Sequence, residues 1–170
     1  MRLIIVFLLA ACFTATANDV ERYDDWKVTE STINGTNFVL ATTVNDDGTA
    51  AGAFCFNDAC YPFVNTNLSC EKDIKYPVLL NFDDGLVALN LDCVIFGDTY
   101  LFELPSNYLD KLVSGNEFGV AYGVQGGKFK ASYFSLTGST KAVLAARKRL
   151  EELDRIISPK KEDTGFSEQL

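Results

Sequence analysis

The chain contains no histidine among its 170 residues. That absence removes Ser–His and Cys–His nucleophile pairs, a histidine general base, and every metal site that needs an imidazole ligand. Positive charge is scarce as well: 15 Lys and Arg stand against 23 Asp and Glu, a formal charge of −8. Nucleic acid and anionic membranes call for a basic surface, so neither is an expected partner. A basic protein is compatible with this charge, as is charge held only for solubility. No apolar run reaches the ~20 residues of a transmembrane helix. The cysteines show no C-x2-C ribbon spacing for zinc, no segment repeats, and no cofactor is implied.

What is present is a foldable chain, 48% apolar and 12% aromatic, of a length that suits one domain with a single core. Met1-Arg2 is followed by the uncharged apolar run Leu3 to Phe13 and then by Thr14-Ala15-Thr16-Ala17. One positive charge, a short apolar stretch and an Ala-x-Ala end make a secretory signal peptide, residues 1–17. Cleavage after Ala17 starts the mature chain at Asn18 and leaves 14 cations against 23 anions, a charge of −9. The expected compartment is the periplasm or the exterior. An alternative sits in the same segment: Leu9-Ala10-Ala11-Cys12 is like a bacterial lipobox, with Cys12 as the lipidated residue. Only eleven residues would precede that cysteine, which is short for a lipoprotein leader.

Export decides how the other cysteines are read. Cys55, Cys60, Cys70 and Cys93 are an even set, and an exported domain uses such a set for disulfides first. Asn57-Asp58 separates two aromatic-rich runs, AGAFCF and ACYPFV, and favours a two-residue hairpin turn. Counting outward, Phe56 faces Ala59 and Cys55 faces Cys60. That register favours a Cys55–Cys60 bridge and leaves Cys70–Cys93. A redox-active pair would instead want C-x-x-C at a helix start.

Hairpins dominate the rest. Asn18 to Asp25 reads as a polar lead-in. Trp26, Val28 and Thr32 then alternate with polar residues as a half-buried strand. Asn34-Gly35 turns that strand back into Phe38–Val44. Asn45 to Thr49 is a further turn, and Pro62 suggests an edge strand or a bulge. Residues 76–82 and 86–94 pair around Asp83-Asp84-Gly85, and 99–104 is a short strand. Ser106 is an N-cap candidate for a helix at 107–113, with Gly115 past its end. Residues 118–124 and 128–136 pair around Gln125-Gly126-Gly127. A helix of about eighteen residues follows, with Val143, Ala146, Leu150, Leu153 and Ile157 on one face, and Pro159 stops it. The expected fold is mostly β: an antiparallel sandwich or barrel-like sheet built from hairpins, with one short connecting helix and a C-terminal helix. It spans residues 18–158 as a single domain, followed by a flexible tail, 159–170. The C-terminal helix face packs on the sheet or joins a second copy, so a monomer or weak dimer is expected.

Chemistry has few carriers. Asp24-Asp25, Asp46-Asp47 and Asp83-Asp84 are the acid pairs, each at a turn, where side chains bond the local backbone. Catalytic acids need environments that push their pKa values apart. Gly123 to Gly127 joins two strands and so lacks the helix N-terminus that binds phosphate. Tyr100, Tyr108, Tyr122 and Tyr133, with Trp26, are either core or a recognition surface. No catalytic, cofactor or metal residue is assigned.

Taken together, Trp26, Gly52 with Cys55 and Cys60, Cys70 with Tyr76 to Asn81, Cys93, and Phe134 to Ala142 resemble small exported proteins of Gram-negative bacteria. More distantly they are similar to the invasion-associated locus B family, periplasmic disulfide-bonded β-proteins closing in a "sLxGfxxAl" segment. Here that segment reads Ser135-Leu136-Thr137-Gly138-Ser139, and the family's cysteine beside the early Trp is missing. The resemblance implies compartment and fold and brings no catalytic motif. The leading expectation is a non-catalytic exported domain with a binding or envelope role. Alternatives are an acidic inhibitor of a basic secreted hydrolase such as lysozyme, a hydrolase using carboxylates alone, and a small-ligand carrier with an aromatic-lined mouth.

Overall fold

The computed structural model describes residues 20–157 apart from 34, 58, 73, 97–98 and 125. The leader with Cys12 and the tail 159–170 lie outside the described residues.

Among the described residues ten strands and two helices follow one another as β1 (Glu21–Tyr23), β2 (Trp26–Ile33), β3 (Thr36–Val44), β4 (Ala50–Phe56), β5 (Ala59–Asn65), β6 (Lys75–Phe82), β7 (Gly85–Phe96), β8 (Thr99–Glu103), α1 (Tyr108–Ser114), β9 (Glu117–Val124), β10 (Lys128–Ser135) and α2 (Ser139–Ile157). All strands belong to one antiparallel sheet in the order β1-β2-β3-β4-β5-β8-β7-β6-β9-β10. The first five strands form a meander, each hairpin set by its own turn. Gly35 at φ +80° and Asn57 at φ +48° supply the left-handed residues that tight turns need. After β5 the chain crosses over, so that β8 returns to pair with β5 and β9 pairs with β6. The sheet is open but curls until its ends meet. The Trp26 indole N–H on β2 donates to the Ser135 carbonyl at the end of β10 at 3.1 Å, and Asp25 N–H reaches Thr137 O at 3.4 Å. The mostly β class with two helices is the one expected.

Period-2 alternation decides which side chains line the concave face. Val39 and Ala41 of β3, Ala51, Ala53 and Cys55 of β4, and Val78 and Leu80 of β6 all enter one continuous core. Phe82, Phe118 and Phe134 stack through it with centroids 4.8 and 5.8 Å apart, each burial worth about 1.5–3 kcal/mol. The convex face carries a second, smaller cluster. There Phe54, Phe63 and Leu101 are buried with Leu40, Phe56 and Tyr61 packed against them.

Helix α2 lays Ala142, Val143, Ala146 and Leu150 into the main core against β1 to β5, so the apolar seam packs on the sheet. Arg149 fastens it to Glu30 of β2 and to Glu152 one turn on. Gly138 makes the entry possible: at φ +92°, a Cβ there would stand 2.0 Å from the Tyr23 carbonyl oxygen. Among the described residues no helix is long and apolar enough to cross a membrane.

Four local expectations are corrected. The lead-in contains β1, whose Glu21 to Tyr23 pair with β2 although two of the three are exposed. Thr32 shares the face of Trp26 and Val28 but is not buried; near the end of β2 it is exposed and donates to Asn37 Oδ1 at 2.8 Å. Strand β5 is interior rather than at an edge. Pro62 has no N–H to give, and the register with β8 covers only Phe63 and Val64, with the Pro62 carbonyl accepting from Leu104 N–H at 2.9 Å. Helix α1 has Asn107, not Ser106, as its N-cap, with no side-chain capping bond. Ser106 offers only its carbonyl, to Leu109 N–H at 3.1 Å.

Candidate functional site

The four cysteines on described strands and loops are joined as two bridges. Cys55 and Cys60 stand directly opposite in the β4–β5 register, with Cα atoms 4.0 Å apart, near the ~4.5 Å of a non-hydrogen-bonded pair. Cys70 and Cys93, with Cα atoms 5.9 Å apart, tie the loop after β5 to β7. Cys93 in turn faces Phe102 of β8. The second bridge therefore clamps the loop over one open end of the curled sheet.

That end encloses a cavity of about 260 Å³, walled by Leu68 and Ser69 of the clamped loop, Tyr76 to Val78 of β6, Phe102, and Tyr122 to Val124 of β9. Tyr76 and Phe102 meet edge to face, centroids 5.2 Å apart at 67°. The Tyr76 hydroxyl accepts from Glu71 N–H at 2.8 Å, which holds the loop to the wall. Tyr122 is 4% exposed, and its hydroxyl has no hydrogen-bond partner among the described residues. A wider, polar and solvent-open depression of about 350 Å³ shares Leu68 and Ser69 and is completed by Asn65, Asn67, Thr99 and Tyr100. The narrower cavity is the better candidate site, because small-molecule sites are walled mainly by apolar and aromatic side chains with a few polar groups among them.

Beside it, Asp47 of the β3–β4 turn closes the seam to β10. Its Oδ1 accepts from Thr49 N–H at 2.9 Å and Thr49 Oγ1 at 2.5 Å, and its Oδ2 pairs with Lys130 Nζ at 2.7 Å. Lys130 first, then the two Thr49 bonds, hold this carboxyl well below the usual range. Asp47 in turn raises Lys130, with a smaller electrostatic contribution from Tyr122, its cross-strand neighbour. The donor–acceptor geometry of a hydrogen bond between Lys130 and Tyr122 is not met.

Of the other acid pairs, Asp83-Asp84 is similarly engaged. Asp83 accepts from Asn116 N–H and Nδ2 at 2.8 and 2.9 Å. Lys111, 2.6 Å from Asp84, holds that carboxyl below its ordinary value. Asp24 takes a left-handed turn conformation at φ +53°. Of the aromatic set, Trp26, Tyr108 and Tyr122 are buried, while Tyr100 and Tyr133 are exposed. One acid pair escaped the sequence reading: Asp92 and Glu103 stand opposite on β7 and β8. Burial and then the Asp92 charge push the Glu103 carboxyl up, while Lys75 pairs with Asp92 at 2.8 Å. Only the strand alignment, which local sequence does not carry, could have brought them together.

These features define a disulfide-stapled, open antiparallel sheet braced by a C-terminal helix, with one end walled into a cavity. The same fold occurs in the crystal structure of invasion associated protein B from Bartonella henselae, at 19% identity and a TM-score of 0.52, over 81% of this chain and 97% of that one. The distant similarity expected from the sequence is thus met in the fold. No family model matches the chain, and no curated protein does.

Proposed function

We propose that this protein is an exported, non-catalytic domain of the periplasm, released from its leader at Asn18, with a binding or envelope-associated role. The observation that carries the reading is the pair of disulfides, Cys55–Cys60 and Cys70–Cys93. Bridges of this kind persist in oxidising compartments and are rare where thiols are kept reduced. The apolar leader run agrees with export. Support for a non-catalytic role comes from the acids: Asp47, Asp83 and Asp84 are spent on turns and ion pairs. The binding role rests on the walled end of the sheet. The test is cell fractionation followed by alkylation of free thiols and intact mass measurement. The periplasmic fraction should hold a chain beginning at Asn18 that takes up no alkylating agent until it is reduced. A cytosolic chain with alkylated cysteines, or a lipid on Cys12, would overturn the corresponding part.

A further inference from the structure

We propose that the outer face of β7, β6, β9 and β10 is an interface at which two copies of this chain stack, sheet on sheet, as a weak twofold dimer. This face is separate from the cavity, and the inference holds whether or not the cavity takes a ligand.

The pairings β7–β6, β6–β9 and β9–β10 set four strands side by side. Their outward residues are the odd-numbered ones over 77–81, 119–123 and 129–133 and the even-numbered ones over 86–90. None of these is charged, whereas the solvated face of an antiparallel sheet is ordinarily polar. Leu79, Leu86, Phe129 and Tyr133 are exposed by 39, 66, 77 and 56%. Gly119, Ala121 and Gly123 keep the middle low. The Tyr133 ring lies against Gly119, where a Cβ would stand 2.9 Å from its Cε1. A second sheet can therefore come close.

Charge selects the occupant. At one end the strands carry Lys75 and Lys128 with Asp92; at the other, Asp83, Asp84 and Glu117 stand with Lys111 of α1. The first end has a surplus of positive charge and the second of negative, so the face complements itself when turned end for end. A twofold axis running across the strands at Leu79 and Ala131 does this. It sets Glu117 near Lys75 of the second copy and Phe129 over Tyr133 of the second copy, in the aligned packing that sheets adopt about 10 Å apart. A bilayer would instead desolvate the three acids at one end, and a basic partner gains nothing from an uncharged face. Four strands ~4.8 Å apart and five residues at ~3.4 Å give roughly 300 Å² of flat contact per copy. A standard interface buries about 800 Å² per partner, so the dimer is weak. The α2 seam is no rival, because Val143, Ala146 and Leu150 are spent on the core.

The test is sedimentation velocity on the oxidised chain from Asn18 onward, from micromolar to millimolar concentration. A monomer that becomes a dimer within this range is expected. Leu79→Glu puts like charges together at the axis and should weaken association at least tenfold. Phe129→Glu, at the most exposed of these positions, should do the same and guards against misfolding of the first variant. Glu117→Lys and Lys75→Glu should each weaken the dimer by about two- to tenfold. A 1:1 mixture of those two variants should recover association, because each mixed pair again sets lysine against glutamate. Leu144→Glu, on the exposed side of α2, should change nothing. A chain still monomeric at millimolar concentration, a dimer that survives Leu79→Glu and Phe129→Glu, no recovery in the mixture, or a dimer lost in Leu144→Glu would each overturn the proposal. So would flotation with neutral or anionic vesicles that Leu79→Glu abolishes in a chain that stays monomeric, which would give the face to a membrane.

Discussion

Two carboxylates on this surface titrate in opposite senses, and the difference comes from what each one faces. Lys130 and the Thr49 donors stabilise the ionised form of Asp47. Its folded-state pKa therefore lies below the unfolded value, and its contribution is present above that value and lost on acidification. Glu103 is the reverse: burial and then Asp92 raise it, so its charge opposes folding at neutral pH, and the penalty vanishes once both states are protonated. Asp47→Asn should lower the thermal midpoint at pH 7, by an amount that shrinks as pH falls below about 4. Glu103→Gln should raise the midpoint at pH 7 and leave it unchanged below about pH 4. Thermal unfolding of both variants from pH 2.5 to 8 checks the signs; a Glu103→Gln curve parallel to that of the wild type would refute the second. Asp47 was legible as a turn residue because an Asx turn is made within three residues. Glu103 was not, because its neighbour Asp92 arrives through strand pairing.

At the level of elements, four hairpins could be read in advance because their turns and registers are local, whereas β1 went unread in a lead-in without an apolar pattern. Asn34-Gly35, Asn57-Asp58, Asp83-Asp84 and Gln125-Gly126-Gly127 fix five or more register pairs apiece. The pairings β5–β8 and β6–β9 join residues far apart in sequence and carry no local signal. The cavity is a product of those crossings, which is why Tyr122 read only as one aromatic among several. The bridges follow the same division. Cys55–Cys60 staples a register the turn already sets, across a separation of 5 residues, whereas Cys70–Cys93 closes a separation of 23. On the chain-entropy model the shorter loop stabilises by roughly 2 kcal/mol and the longer by roughly 3.4 kcal/mol. Replacing Cys70 and Cys93 with serine should therefore cost more in urea unfolding than replacing Cys55 and Cys60. It should also release the Leu68–Ser69 wall, so that Tyr76 becomes more accessible to quenchers. The opposite ranking would show that the hairpin, not the loop, is the weaker element.

For the molecule as a whole, the question is whether the meander β1 to β5 and the crossed half β6 to β10 melt together. Among the described residues their only ladder along the sheet is the β5–β8 register of Phe63 with Glu103 and Val64 with Phe102. Cohesion must come from elsewhere. One buried cluster contains Val39 and Ala53 of the first half, Leu80 and Phe118 of the second, and Val143 and Leu150 of α2. The far seam is closed by Trp26 on Ser135, Asp25 on Thr137 and Asp47 on Lys130. A shared core and two seams predict a single cooperative transition. Trp26 is the one tryptophan of the chain and is 1% exposed at that seam, so its fluorescence reports seam opening while far-UV circular dichroism reports the sheet. The two urea curves should superimpose. Trp26→Phe leaves the Ser135 carbonyl without its donor, at a cost of about 1–3 kcal/mol. For a chain of this length that is a midpoint lower by about 3–10 °C, still in one step. Fluorescence changing well before circular dichroism in the wild type would mean the seam opens first, with the two halves held only by their short ladder.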